Sequence, residues 1–172
     1  MTVELCPAEE GPLFYIIAHM RECDRREIFC TRWDDDPASL ADDCMNVIGR
    51  ANSLTVLATL DREPVAVLGA VETWPGTWDV WCFGTDQFEK VAFTLTKYVR
   101  RTLIPALLVR GLRRGHCRSL ADHVKAHAWL RELGAKSEDE RPMKSWGKNG
   151  EDFVMFEWHR HDLLKTFRPE AA

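Results

Sequence analysis

The sequence predicts an α+β domain in which a central mixed, mostly antiparallel sheet is flanked by helices. Three observations carry that expectation. Apolar residues at helical spacing run to about Gly49, β-branched runs replace them from Leu54, and a long helical tract from Asp86 to about Leu112 precedes a strand, a helix and a final strand. With 172 residues and 45% hydrophobic content, the chain can bury one ordinary core. It is read as a single domain over residues 1–172, with its core from about 9 to 158 and a C-terminal tail at 159–172.

Residues 9–29 read as one or two helices, with Phe14, Ile17, Ile28 and Phe29 on the apolar side. Trp33-Asp-Asp-Asp-Pro37 stops and restarts the chain: Asp36 suits an N-cap, Pro37 suits the first helical turn, and the extra carboxylates favour the positive end of the helix dipole. The next helix carries Leu40, Cys44, Val47 and Ile48 on one face. Leu54–Leu60 and Pro64–Val71 then flank Asp61-Arg-Glu63 as a hairpin, and Thr77–Phe83 follows as a third strand through the turn Trp74-Pro75-Gly76. In the long helical tract Val91, Leu95, Tyr98, Val99, Leu107 and Leu108 share a face, and Pro105 must kink or split it. Gly115–Ala121 reads as a short strand, Asp122–Leu133 as a helix ended by Gly134 in a left-handed conformation, and Glu151–Trp158 as the last strand.

The first ten residues have no basic stretch followed by an apolar run, and no uncharged segment approaches the roughly 20 residues of a membrane helix, so a soluble protein of a bacterial-type cytoplasm is expected. The six cysteines form no C-x-x-C pair, which favours reduced thiols over a disulfide framework. The net charge of -4 is unevenly spread: residues 1–49 sum to -7, while Lys90, Lys97, Arg100, Arg101, Arg110, Arg113, Arg114 and Arg118 form a basic band of +8 without an acid. That band can meet an acidic partner or neutralise the chain's own N-terminal region; no nucleic-acid module accompanies it. Trp74, Trp78 and Trp81 crowd one turn and its strand, as core packing or as a contact surface. His123 and His127, four apart, lack a third ligand at recognisable spacing, so no metal is expected. Neither a catalytic cysteine signature nor a nucleophile elbow is present.

Ala126-His-Ala-Trp-Leu-Arg-Glu-Leu-Gly-Ala-Lys136 resembles the A-x-A-L-Y-E-K-L-G-F run of GNAT N-acetyltransferases, with Ala126, Ala128, Leu133 and Gly134 on matching positions. The element order from about residue 9 to 158 is similar as well. The resemblance implies a sheet that splays between its fourth and fifth strands, with acetyl-CoA entering the gap. Within that superfamily, Arg26-Glu-Ile-Phe-Cys-Thr-Arg-Trp-Asp-Asp-Asp-Pro-Ala-Ser39, Trp74-Pro-Gly-Thr-Trp78 and Phe83-Gly-Thr-Asp86 resemble the degenerate GNAT-like internal virion protein A of short-tailed bacteriophages.

The resemblance places the family's diphosphate loop, Arg/Gln-x-x-Gly-x-Gly/Ala, on Gln87-Phe-Glu-Lys-Val-Ala92, which makes Gln87, Lys90, Val91, Ala92 and, by position, His123 the acyl-CoA candidates. Lys90 stands at the central glycine, and Leu130 stands at the tyrosine that serves many members as general acid. These departures point to a non-catalytic phage protein that binds a phage structural or host bacterial protein, in virion assembly or host targeting, without a cofactor. It would act in the host cytoplasm, with incorporation in the virion and homo-oligomers both open. Its contact surface would be Trp74, Trp78 and Trp81 with Arg100, Arg101, Arg113 and Arg114. The alternative is an acetyl-CoA-dependent N-acyltransferase acting on a protein or small-molecule amine, with Glu72 or Asp79 as base.

Overall fold

The computed structural model describes residues 1–138 and 141–167. Seven strands are hydrogen-bonded in the order β1-β2-β3-β4-β5-β7-β6, where β1 is Val3–Cys6, β2 Ser53–Leu60, β3 Glu63–Trp74, β4 Thr77–Gly84, β5 Arg114–Leu120, β6 Lys136–Ser137 and β7 Phe153–His159. The β4–β5 ladder is parallel, while β1–β2, β2–β3, β5–β7 and β6–β7 are antiparallel. The helices are α1 Glu10–Ala18, α2 Glu22–Phe29, α3 Pro37–Ile48, α4 Phe88–Tyr98, α5 Ile104–Val109, α6 Val124–Glu132 and α7 Arg160–Thr166. No helix among the described residues is long and apolar enough to cross a membrane. The described chain forms two compact units, Met1–Val71 with Val80–Leu95, and Glu72–Asp79 with Thr96 onward.

In the first unit Leu13, Ile16, Ile17 and Met20, spaced along α1 and the turn after it, bury against Phe29, Leu40, Leu57, Val67 and Phe83. Of the expected face, Ile17 and Phe29 are buried and Ile28 packs partly buried, while Phe14 is exposed and Leu13 and Ile16 take the core beside Ile17. The α3 start is capped as its sequence demands. Asp36 Oδ1 accepts from Ala38 N at 3.0 Å with Pro37 in the first turn, and Asp34 accepts from Asp36 N at 3.1 Å. Replacing Asp36 by alanine should cost about 1 kcal/mol in urea unfolding, because an N-cap acceptor is lost and no core contact changes.

Asp61 and Arg62 both have positive φ, 50° and 73°, the geometry of a tight two-residue hairpin turn between β2 and β3. Asp61 also ties down β1, accepting from Thr2 N at 2.7 Å and donating its own N–H to Thr2 O at 2.8 Å. This first strand escapes sequence reading, because four residues carry too little alternation to separate from a loop until β2 offers an edge. Gly69 in β3 lies under Trp81 of β4, whose ring occupies the space where a Cβ would stand. Gly69→Val should destabilise by about 1–3 kcal/mol through overpacking and shift the tryptophan fluorescence as Trp81 is displaced; an unchanged urea midpoint would show that the ring yields freely.

In the second unit β5 and β7 pair over seven residues, from Arg114↔His159 to Leu120↔Phe153. Trp78, Leu103, Leu107, Leu112, Phe153, Phe156 and Trp158 are buried there. Gly134 has φ +86° after α6, and Ala135 N returns to Leu130 O at 3.0 Å, so the helix ends as the glycine predicts. The expected kink at Pro105 takes a different form: Val99–Leu103 is a π-helical turn leading into α5, with Pro105 in the first turn of that helix. A wider turn accommodates the ring and the missing N–H without ending the helical tract. α7, with Leu163 buried, occupies part of the expected tail, whose residues 168–172 lie outside the described residues.

Candidate active site

The second unit brings one expected site residue to an unexpected partner. The β4–β5 ladder has three pairs, Thr77↔Arg114, Trp78↔Gly115 and Asp79↔His116. Strand alternation turns Trp78 into the core, where it is 1% exposed, and leaves Asp79 and His116 together on the other face. His116 Nε2 lies 3.1 Å from Asp79 Oδ1, and the Asp79 side chain keeps 33% of its exposure. An ionised carboxylate only accepts, so in the neutral ring Nε2 carries the proton and Nδ1 presents a lone pair. Nδ1 is buried and has no hydrogen-bond partner among the described residues. A buried acceptor without a donor is costly, and it is chemically ready for a ligand N–H or O–H. Around the pair, Arg114 bridges Glu138 at 2.7 Å and Glu157 at 3.1 Å, and His159 meets Glu157 at 3.2 Å.

Glu72, the other candidate base, is committed to the turn before β4, where its Oε1 accepts from Gly76 N at 2.7 Å. Gly76 O receives Arg113 N and Arg114 N at 2.8 and 3.1 Å, and the Arg113 guanidinium donates to Pro75 O. Arg113 is therefore a fastener of that turn, and Arg114 is half-buried between two glutamates. Arg100 and Arg101 are exposed, with Arg100 donating to Glu132 O at 2.8 Å. Of the tryptophans expected on a contact surface, Trp74 is exposed at 59% while Trp81 packs half-buried on the first unit's core and stacks on Phe83. Trp78 is corrected outright: strand alternation places it inside, where it cannot meet a partner. His123 stands half-buried at the N-cap of α6, and His127 Nε2 lies 2.9 Å from Leu120 O.

The first unit holds the start of α4. Gln87 and Lys90 come together, with Lys90 Nζ donating to Gln87 Oε1 at 3.1 Å and Gln87 Nε2 lying 3.4 Å from Glu63 Oε2. Val91 is fully buried and Ala92 half-buried, both inside the helix rather than in a loop. Gln87 N donates to Thr85 Oγ1 at 3.3 Å, Phe88 N to Thr85 O at 3.0 Å and Lys90 N to Gln87 O at 2.9 Å. The segment is a capped helix start, not an open nest of amides.

His116 is the residue that sequence reading missed. It lies in a stretch read only as a strand, and nothing in its local spacing signals Asp79, which the parallel ladder alone brings opposite.

No protein-family model matches the sequence, and no curated protein matches it. Solved structures do match in fold. A spermidine N-acetyltransferase SpeG variant from Vibrio cholerae superposes with a TM-score of 0.68 at 12% identity, covering 94% of this chain and 96% of its own. A ribosomal-protein-S18-alanine N-acetyltransferase from Escherichia coli gives 0.64 at 13% identity, covering 92% and 94%. A structure described as a probable GNAT-family acetyltransferase from Chromobacterium violaceum gives 0.67 at 13% identity, covering 94% and 90%. The chain has the GNAT fold, with a mostly antiparallel seven-stranded sheet flanked by helices.

Proposed function

We propose that this GNAT-fold chain is an N-acyltransferase that moves an acyl group from a thioester to an amine, with Asp79 and His116 as its acid–base pair. The observation that carries the reading is the lone pair of His116 Nδ1, buried without a donor while Asp79 holds the opposite ring nitrogen. Positioned histidines suit this work because they exchange a proton near neutral pH. The amine nitrogen attacks the thioester carbonyl carbon, its N–H proton passes to His116 Nδ1, and the C–S bond breaks. The imidazolium, stabilised by Asp79, returns that proton to the departing thiolate. Leu130 has no hydroxyl to do so. Acetyl is the group to test first, since the fold neighbours bear acetyltransferase names.

Coenzyme A, the donor this fold family implies, meets a poor fit at its diphosphate. The amides of Gln87, Phe88 and Lys90 are already bonded within the chain. The reading is tested by incubating the protein with acetyl thioesters and an amine panel that includes spermidine and an N-terminal alanine peptide, following thiol release together with the mass of the acylated amine. Thiol release coupled to amide formation is expected. Hydrolysis without amide, or no release from any donor, would overturn the reading.

A second reading is favoured by that same closed helix start: a retained scaffold that acts by binding a protein, with exposed Trp74, Arg100 and Arg101 available for contact. The likeness to internal virion proteins of short-tailed phages belongs to this reading and rests on the three sequence phrases.

A further inference from the structure

We infer that this chain, acting as the proposed acyltransferase, does not hold the diphosphate of coenzyme A, so that an acyl-pantetheine serves it as well as the full acyl-CoA. The inference rests on the first unit alone. An anion site at a helix start needs several backbone N–H groups pointing outward without partners. At α4 three of those amides are spent internally: Thr85 takes Gln87 N on its hydroxyl and Phe88 N on its carbonyl, and Gln87 O takes Lys90 N. Lys90, the ammonium at this helix start, is bonded to Gln87, and Gln87 Nε2 lies 3.4 Å from Glu63 Oε2.

The end of β4 is closed by a second, independent device. Thr85 N donates to Val65 O at 2.8 Å, so alternation turns both backbone groups of Gly84 to the edge away from β3. Those groups are occupied: Gly84 N donates to Asp24 Oδ2 at 2.9 Å, and Gly84 O accepts from Arg21 N at 2.9 Å. Arg21 Nε donates to the same Asp24 oxygen at 2.7 Å, and its guanidinium lies 4.0 Å over the Phe88 ring. Burial, the largest influence, works to discharge Arg21, but the Asp24 hydrogen bond and charge outweigh it and raise the Arg21 pKa. The α1–α2 corner thus occupies this strand edge and sets the Asp24 carboxylate against it.

The test compares acetyl-CoA with acetyl-pantetheine as donors, and CoA with pantetheine by calorimetry, on the full chain. The kcat/KM values should agree within about threefold, since a contact that is never made contributes nothing to either state. CoA should show no saturable heat that pantetheine lacks, and inorganic pyrophosphate should show none at millimolar concentration. A preference for acetyl-CoA of about tenfold or more, or saturable micromolar CoA binding without matching pantetheine binding, would overturn the inference. If neither donor transfers, the acyltransferase reading fails, yet the calorimetric comparison still decides this one: equal or absent heats uphold it, and CoA-only heat removes it.

Discussion

If the proposed acyltransferase reading holds, replacing His116 by alanine should lower kcat for amine acylation by about 100-fold or more, the usual contribution of a positioned general base, with little change in donor KM. On the proposed mechanism the effect is chemical, because the variant removes the ring whose Nδ1 is buried without a partner among the described residues. Stability should move little, since the ring leaves behind no stranded charge beyond Asp79, whose side chain is 33% exposed. Added imidazole should restore part of the rate, an outcome that a merely structural role would not produce. Asp79→Asn should cost less than Asp79→Ala, because the asparagine oxygen still accepts the Nε2–H and keeps the tautomer. A His116→Ala enzyme with wild-type kcat would remove the pair from the mechanism.

Replacing Asp24 by alanine destabilises the fold by about 3–5 kcal/mol, the cost of breaking a buried ion pair from one side. Asp24 is 4% exposed, and its carboxylate serves Arg21 Nε and Gly84 N at once. The alanine strands a mostly buried guanidinium and a strand-end N–H together. Urea unfolding measures the loss, and Asp24→Asn, which keeps one acceptor, should retain part of it. If the alanine variant fails to fold, the asparagine variant supplies the measurement; a loss under about 1 kcal/mol in both would mean that water already serves these groups.

Much of the fold is legible along the chain because it is written in local periodicity. The α3 cap at Asp36, the hairpin at Asp61 and Arg62, the α6 stop at Gly134 and the buried run of β3 each depend on residues within a few positions of one another. Elements whose meaning lies in a distant partner escape. β1 needs the β2 edge, β6 is two residues on β7, and the orientation of α1 is settled by which side its sheet offers rather than by apolar count. Among site residues, Asp79 was visible as a carboxylate on a strand, but not as half of a pair. Lys90 and Gln87 were visible as a departure from a phosphate loop, but not as partners of each other.

By itself the sequence determined the order of the longer elements from α1 to β7, the capping chemistry, and that Lys90 and Leu130 stand where the resemblance expects glycine and tyrosine, since propensity, turn geometry and residue identity act locally. Tertiary structure decided which groups meet. It set His116 against Asp79 through a parallel ladder, closed Gly84 with Asp24 and Arg21, and turned Trp78 inward while leaving Trp74 outside. The physical reason is that a proton path, a buried charge pair and a side chain's exposure are properties of distances between residues remote in sequence, which strand register fixes and local pattern does not contain.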